Sequence, residues 1–469
     1  MTVAPPKTRK LPLAVMFRLG LYQACLGMMS VLTLGILNRV LIDELKIPAL
    51  IAAGAIAMHQ FVAPVRVWFG QLSDRQPLFG LHRSGYIGLG AVGFCAIAIL
   101  ASQTIWPLGT AAAGGFTGAA WGWAALLAGL FACYGIALSS SSTPFAALLV
   151  DISDEEERAP LVSIVWSMLT VGIVVGAILS STVLGSACKA TATSGDIQSG
   201  LSRLFLLAGG GALATILLAT WGVERRWSRF TERSTPQSRE DQIGIRQAWA
   251  TLSASPQTLL FFAALATFTI SLFLQEAVLE PFGGEVFGMS ICETTRLNAI
   301  WGMGTLVGIA STGFLVVPRL GKRRTALLGC GLSALSFVGI ALSGFVGNAV
   351  LFKGLLGVFG VAAGIGTNGA LCLMLDLTLA ETAGTFLGAW GLAQALSRAV
   401  ATVSGGAVLD LGKILLEPRF GLAAAYSSVF LLEAVGMVVA IALLRRVDIR
   451  AFRQDTRTRL SDVLSAELD

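Results

Sequence analysis

Four groups of side chains in this 469-residue chain have types and spacings that suggest chemistry, and each stands in or beside an apolar run. His59, with Gln60 beside it, lies 11 residues after Pro48 in a run that ends near Phe69. At about 1.5 Å per residue this puts an imidazole close to mid-membrane. It must there find a partner or a protein shield. Three readings are open: a hydrogen bond across a helix interface, a neutral imidazole acting as a ligand, or proton transfer. Arg398 lies deep in a later apolar run, with Gln394 one turn earlier on the same helical face. A charge at that depth points into a bundle or a cavity. Glu276 and Glu280, spaced i, i+4 beside Pro281, predict either a proton-coupling pair or a hydrated rim. The fourth group is a compact charged hairpin, Gly70-x-Leu72-x-Asp74-Arg75 followed by His82-Arg83. Outside these four groups, Arg39 and Asp43, also i, i+4, predict either a specific contact on the outward side or a local ion pair.

Other chemistry is excluded by what is missing. With two histidines, no Gly-rich phosphate loop, no paired-cysteine metal spacing and no nucleophile elbow, the chain reads as a non-enzyme without catalytic or metal-ligating residues. Of its 7 cysteines, Cys188 and Cys292 fall in or near loops on one side, which leaves a disulfide between them open.

The elements that position these residues follow from composition. The chain is 55% hydrophobic and 13% charged, with a mean hydropathy of +0.77. Soluble domains carry about 25% charged residues, so this is an integral membrane protein. Its apolar runs are continuous and rich in Ala, Gly and Leu, which predicts helices rather than a barrel. Twelve runs of about 20 residues can be drawn, enough to cross a hydrocarbon core of ~30 Å. The first four are 13–37, 48–69, 85–105 and 122–150, the seventh is 257–280 and the eleventh 384–409. Placing both termini in the cytoplasm puts 22 of the 33 Lys and Arg inside and 8 outside. The net charge of +6 is thereby explained without a nucleic acid, and a basic inner rim suits anionic lipid headgroups.

The arginine-rich stretch 224–255 separates two sets of six runs, so the domains read as 1–223, a cytoplasmic linker 224–255, 256–446, and a cytoplasmic tail 447–469. An internal repeat supports the division. LLVDISDEEERAPLVSIVW at 148–166 matches LMLDLTLAETAGTFLGAW at 373–390, aligning Asp151 with Asp376 and Glu156 with Glu381. The expected fold is all-α: twelve transmembrane helices in two pseudo-symmetric six-helix bundles.

The Gly70–Arg83 hairpin resembles the loop between helices 2 and 3 of the major facilitator superfamily, which implies that Gly70, Asp74, Arg75 and Arg83 tie helix ends on the cytoplasmic side. The longer runs LNRVLIDELKIPA, AMHQFVAPVRVWFGQLSD and FGLHRSGY resemble a narrower group, the PucC/LhaA-type light-harvesting assembly proteins of the bacteriochlorophyll delivery family. That resemblance implies an assembly factor delivering chlorophyll or bacteriochlorophyll to newly inserted antenna polypeptides in a thylakoid, intracytoplasmic or plasma membrane. In the superfamily, helices 2 and 11 meet between the halves. His59, Gln60, Gln394 and Arg398 are therefore expected to approach one another as a pigment or substrate site, with His59 a candidate magnesium ligand. The alternatives are a proton-coupled transporter of a small molecule using Glu276 and Glu280, and a pigment-free assembly scaffold.

Overall fold

The computed structural model describes residues 11–153, 155–185, 193–228, 256–377 and 383–447. Apart from one isolated bridge, Leu78 to Leu81, the regular structure among them is helical. In hydrocarbon every backbone N–H and C=O must be satisfied within its own segment, and a continuous helix does this. Among the described residues, ten helices are long and apolar enough to cross a membrane. In chain order they are the first (Leu13–Glu44), third (Ser84–Ala112), fourth (Gly118–Ile152), fifth (Ile164–Leu184), sixth (Ser194–Trp227), seventh (Leu259–Ala277), ninth (Lys322–Val346), tenth (Ala349–Leu373), eleventh (Trp390–Leu415) and twelfth (Leu422–Arg446). The second is split into Ala49–Phe61 and Val65–Arg75. The eighth (Ile291–Ser311) continues through a π-helical stretch, Thr312–Val316, to Val317–Leu320.

Three local features differ from the sequence expectation. The first helix does not stop near residue 37 but runs on through LNRVLIDE, passing through π-helical stretches at Val31–Ile36 and Val40–Glu44. It carries the buried Asn38 and Arg39 because the second half supplies their partners. The second helix breaks over 62–64, where Pro64 has no N–H to give. It then resumes, so Gly70, Asp74 and Arg75 lie on its last turns and the connecting hairpin shrinks to 76–83. The seventh helix tightens to 3₁₀ at Leu274–Ala277 and restarts as Leu279–Phe287. Glu276 and Glu280 consequently do not share one α-helical face, and Glu280 is buried rather than set on a wet rim.

Neighbour relations repeat between the halves. The first helix packs on the fifth and sixth, and the seventh on the eleventh and twelfth. Likewise the third packs on the fourth and sixth, and the ninth on the tenth and twelfth. The second packs on the fourth, as the eighth does on the tenth. The eighth–tenth crossing shows the mechanism. Gly304 and Gly308 face Gly360 and Gly364 so closely that a Cβ on any of them would strike the other backbone. Between the halves the second helix meets the eleventh and the fifth meets the eighth. Large apolar side chains such as Leu206, Leu218, Leu335 and Val350 point outward, as a lipid-facing surface requires.

Candidate functional site

Cross-half bonds among the described residues lie on the side of the bundle opposite the 76–83 hairpin, here the far face. The Asn38 amide donates to the Ala277 carbonyl (2.7 Å) and Arg39 Nη2 to the Met289 carbonyl (3.0 Å). Arg39 also pairs with Asp43 and Glu44, both at 2.9 Å. The local ion pair expected from spacing thus exists, and it positions an interdomain tie. Asp410 of the eleventh helix accepts from the Ala49 and Leu50 amides (2.9 and 2.8 Å), capping the second helix across the interface. Glu285 collects Lys413 (2.7 Å), the Tyr426 hydroxyl (2.6 Å) and, from the first half, Lys46 (3.2 Å). Burial opposes ionisation of Glu285, but the hydrogen bonds and charges of these partners outweigh it and hold the carboxyl below the usual range. Burial likewise opposes the Lys46 charge, while Glu285 and Asp43 hold its ammonium above the usual lysine range. Asp410 and Glu285 are invisible to motif reading because their partners are remote in sequence.

Toward the hairpin face the described ties stay within one half: in the second half Arg323 donates to the Leu444 and Arg445 carbonyls, and the first half is tied more extensively. Arg83, 4% exposed in its side chain, bonds Asp74 and Asp151 (both 2.7 Å) and Ser73 Oγ (2.7 Å), joining the second, third and fourth helices. The tie runs through Arg83, while Arg75 is exposed. Glu224 accepts from the His82, Arg83 and Ser84 amides (2.7, 3.0 and 2.6 Å) and so caps the third helix. The start of the expected linker is therefore part of the folded hairpin face. Glu156 and Arg158 have no described side-chain surroundings, and Glu381 lies outside the described residues. Val65–Arg75 packs on the fourth helix, and no cross-half bond is described beside it. Among the described residues, the halves thus close at the far face and part toward the hairpin face.

The space so left is bordered by the polar residues of the second and eleventh helices. Gly135 of the fourth helix has no Cβ to strike the His59 backbone, so the two helices touch there. His59 lies against Phe131 and Tyr134, with ring centroids at 6.4 and 6.1 Å. Its Nδ1 sits 2.6 Å from the Ile56 carbonyl. A carbonyl only accepts, so Nδ1 carries a proton, and in the neutral imidazole Nε2 is then the nitrogen with a lone pair, as a metal-ligating imidazole requires. Gln60 is buried, and its Oε1 has no partner among the described residues. Arg398 makes a two-pronged pair with Glu276, with Nε to Oε2 at 2.9 Å and Nη2 on Oε1. It also lies 4.4 Å over the Phe273 ring. Thr402 Oγ1 stands 3.4 Å from the same carboxylate. Arg398 therefore ties the eleventh helix to the seventh within one half, and does not clamp the halves together. Glu280 instead bonds the Asn298 amide and abuts Gly35 of the first helix. The Arg398 and Arg66 guanidiniums and Glu276 all lie within electrostatic reach of His59. Arg66, two turns beyond His59 on the broken second helix, was legible as a charge within an apolar run but not as part of this site.

Cys292 is disulfide-bonded, and Cys188, the candidate partner, lies outside the described residues.

Two six-helix repeats closed on one face and parted on the other define a protein of the major facilitator fold. A bacterial homologue of the lysosomal transporter Spinster, in an inward-facing and unoccupied conformation, superposes with a TM-score of 0.70 at 15% identity, covering 94% of this chain and 98% of that one. That likeness speaks for the fold alone. The family described as PUCC protein matches residues 36–452, and the chain belongs to it. Protein PucC of Rhodobacter capsulatus is 29% identical over 93% of this chain and 92% of its own length. A protein of Rhodobacter capsulatus named bacteriochlorophyll synthase 44.5 kDa chain is 30% identical, covering 90% and 93%.

Proposed function

We propose that this multi-pass membrane protein holds a chlorophyll or bacteriochlorophyll between its halves and hands it to light-harvesting polypeptides during their assembly. Membership of the PUCC family over nearly the whole chain carries the reading, and the name of one relative points to bacteriochlorophyll. The site residues fit a magnesium tetrapyrrole. His59 keeps the Nε2 lone pair that would ligate magnesium, Phe131 and Tyr134 offer an aromatic wall, and the unpartnered Gln60 Oε1 accepts a donor. Gln394 and Arg398 would border the same ligand from the eleventh helix. The pigment would supply only its metal and its macrocycle, so the protein's part is to bind, orient and release. We read binding and not catalysis.

The excess of Lys and Arg supports placing both termini in the cytoplasm, and membership of the PUCC family supports a phototroph as the host. Proton coupling through Glu276 and Glu280 gains no support, because Glu276 is engaged by Arg398 and Glu280 by Asn298.

An absorption spectrum of the protein purified in mild detergent from a phototrophic host tests the reading. We expect a red chlorophyll band in fixed proportion to protein that is lost in His59→Leu. A band that survives the substitution moves the ligand away from His59. Absence of any band, with antenna polypeptides co-purifying, replaces pigment delivery with a pigment-free scaffold.

A further inference from the structure

Away from the space between the halves, a cavity of about 380 Å³ lies at the corner where the first helix begins and the sixth ends. The sixth helix turns at Gly222, whose φ of 69° is in the left-handed region, and finishes as a short helix, Val223–Trp227. Val223 and Glu224 of this piece are buried, and Glu224 is spent on the amides that start the third helix. Arg225 and Arg226 are exposed. The cavity walls include Val15, Arg18, Trp221, Arg226 and Trp227, and no carboxylate among the described residues. Arg18 donates Nε and Nη2 to the Leu218 carbonyl (3.1 and 2.6 Å) and Nη2 to the Trp221 carbonyl (2.5 Å), capping the sixth helix before its turn. The Arg226 guanidinium lies 5.7 Å from the Trp227 ring centroid. Neither arginine has an ion pair among the described residues. In the turns that Arg18 joins, the exposed large side chains are apolar or aromatic: Phe17 and Leu21 on the first helix, Leu218 and Trp221 on the sixth. Tryptophan beside outward-facing apolar side chains marks the headgroup level of a bilayer.

We propose that this cavity binds one anionic phospholipid of the leaflet on the hairpin side. Arg226 and Nη1 of Arg18, which bonds no described residue, would hold the phosphate, and the acyl chains would run over Phe17, Leu21 and Leu218. Guanidiniums match phosphate oxygens in parallel hydrogen bonds, and two of them on one cavity favour net negative charge. A choline group would add a third cation with no carboxylate to balance it. The apolar surface beside the cations calls for an occupant with tails, which separates a lipid from an inorganic anion. Residues 1–10 carry Lys7, Arg9 and Lys10 and no acid, so the chain's own N-terminal stretch does not complement the cavity. The site is independent of what the space between the halves holds. Because the same short helix carries Glu224, a bound lipid would brace the corner at which the first, third and sixth helices meet.

The test titrates the purified full-length protein, delipidated in detergent, with dioleoylphosphatidylglycerol or dioleoylphosphatidylcholine and reads bound lipid in native mass spectra. The two probes share their acyl chains and differ in headgroup charge. We expect phosphatidylglycerol to bind about tenfold more tightly. Arg226→Gln should remove most of that preference, and Arg226→Lys, which keeps the charge but not the fork, should retain part of it. Arg225→Gln deletes the same charge one residue away from the cavity wall and should leave the preference unchanged. Matching unfolding temperatures in phosphatidylcholine would show that the variants fold. Equal affinities for the two lipids in the unaltered protein, or tighter binding of phosphatidylcholine, would overturn the inference. Equal losses in Arg225→Gln and Arg226→Gln would also overturn it, by assigning the preference to the basic rim as a whole. Thermal stabilisation by inorganic phosphate as large as that by phosphatidylglycerol would assign the cavity to a free anion and overturn it likewise. The pigment reading stands or falls separately, on the absorption spectrum.

Discussion

At the scale of single residues, the side chains that sequence singled out are present, but their partners rearrange their meaning. Arg398 and Gln394 read as a face turned toward the other half, yet the guanidinium is bound to Glu276 of its own half. The coupling can be measured. Removing Arg398 leaves Glu276 facing a space without its counter-charge, and removing Glu276 does the converse, so each single change costs more than the pair is worth. In a double-mutant cycle of Arg398→Leu and Glu276→Gln, read by thermal unfolding in detergent, we expect a coupling of about 1–3 kcal/mol. Additive effects would show that the pair is not formed. His59 is a different case. Its depth was readable from distance along the helix, whereas the state of its two nitrogens depended on the Ile56 carbonyl one turn back.

At the scale of elements, helix ends are completed by side chains from other helices. Asp410 caps the second helix from the eleventh, and Glu224 caps the third from the end of the sixth. A cap of this kind is worth about 1 kcal/mol, but Asp410 also spans the interface, so its loss should act on conformation as well as stability. Ile47, 1% exposed at the far face, reports on this. A cysteine substituted there should label with maleimide several-fold faster when Asp410→Ala is added, if the far face is held shut by that cap. An unchanged rate would assign closure to the remaining ties. The breaks in the second and seventh helices belong to this scale too. Pro64 gave a local signal for the first break. The 3₁₀ turn at Leu274–Ala277 has none, because the bond between the Gln275 amide and Glu433 (2.6 Å) belongs to its surroundings.

Across the whole molecule, the far face is a lock with a pH dependence of defined sign. Glu285 titrates below the usual carboxylate range of about 4.3 in the folded protein. A depressed folded value means stabilisation that is complete above the unfolded value and is lost as pH falls through the folded one. Acidification below about pH 4.3 should therefore lower the unfolding temperature and speed labelling at the far face, and Glu285→Gln should flatten both profiles. An unchanged acid profile in that variant would remove Glu285 from the lock. Among the described residues the bonds between the halves gather at the far face, and toward the hairpin face the first half is tied to itself through Arg83.

Hydropathy and the bias of Lys and Arg are sums over many residues, so helices, their approximate number and the twofold repeat were determined by sequence alone. The family-like runs are likewise local strings. Only the tertiary structure decided which charges meet. Glu276 and Arg398 are 122 residues apart, and Ala49 and Asp410 are 361 apart. In a bilayer a charge takes its meaning from the one or two groups that neutralise it, and chain order carries no record of distances between helices folded hundreds of residues apart.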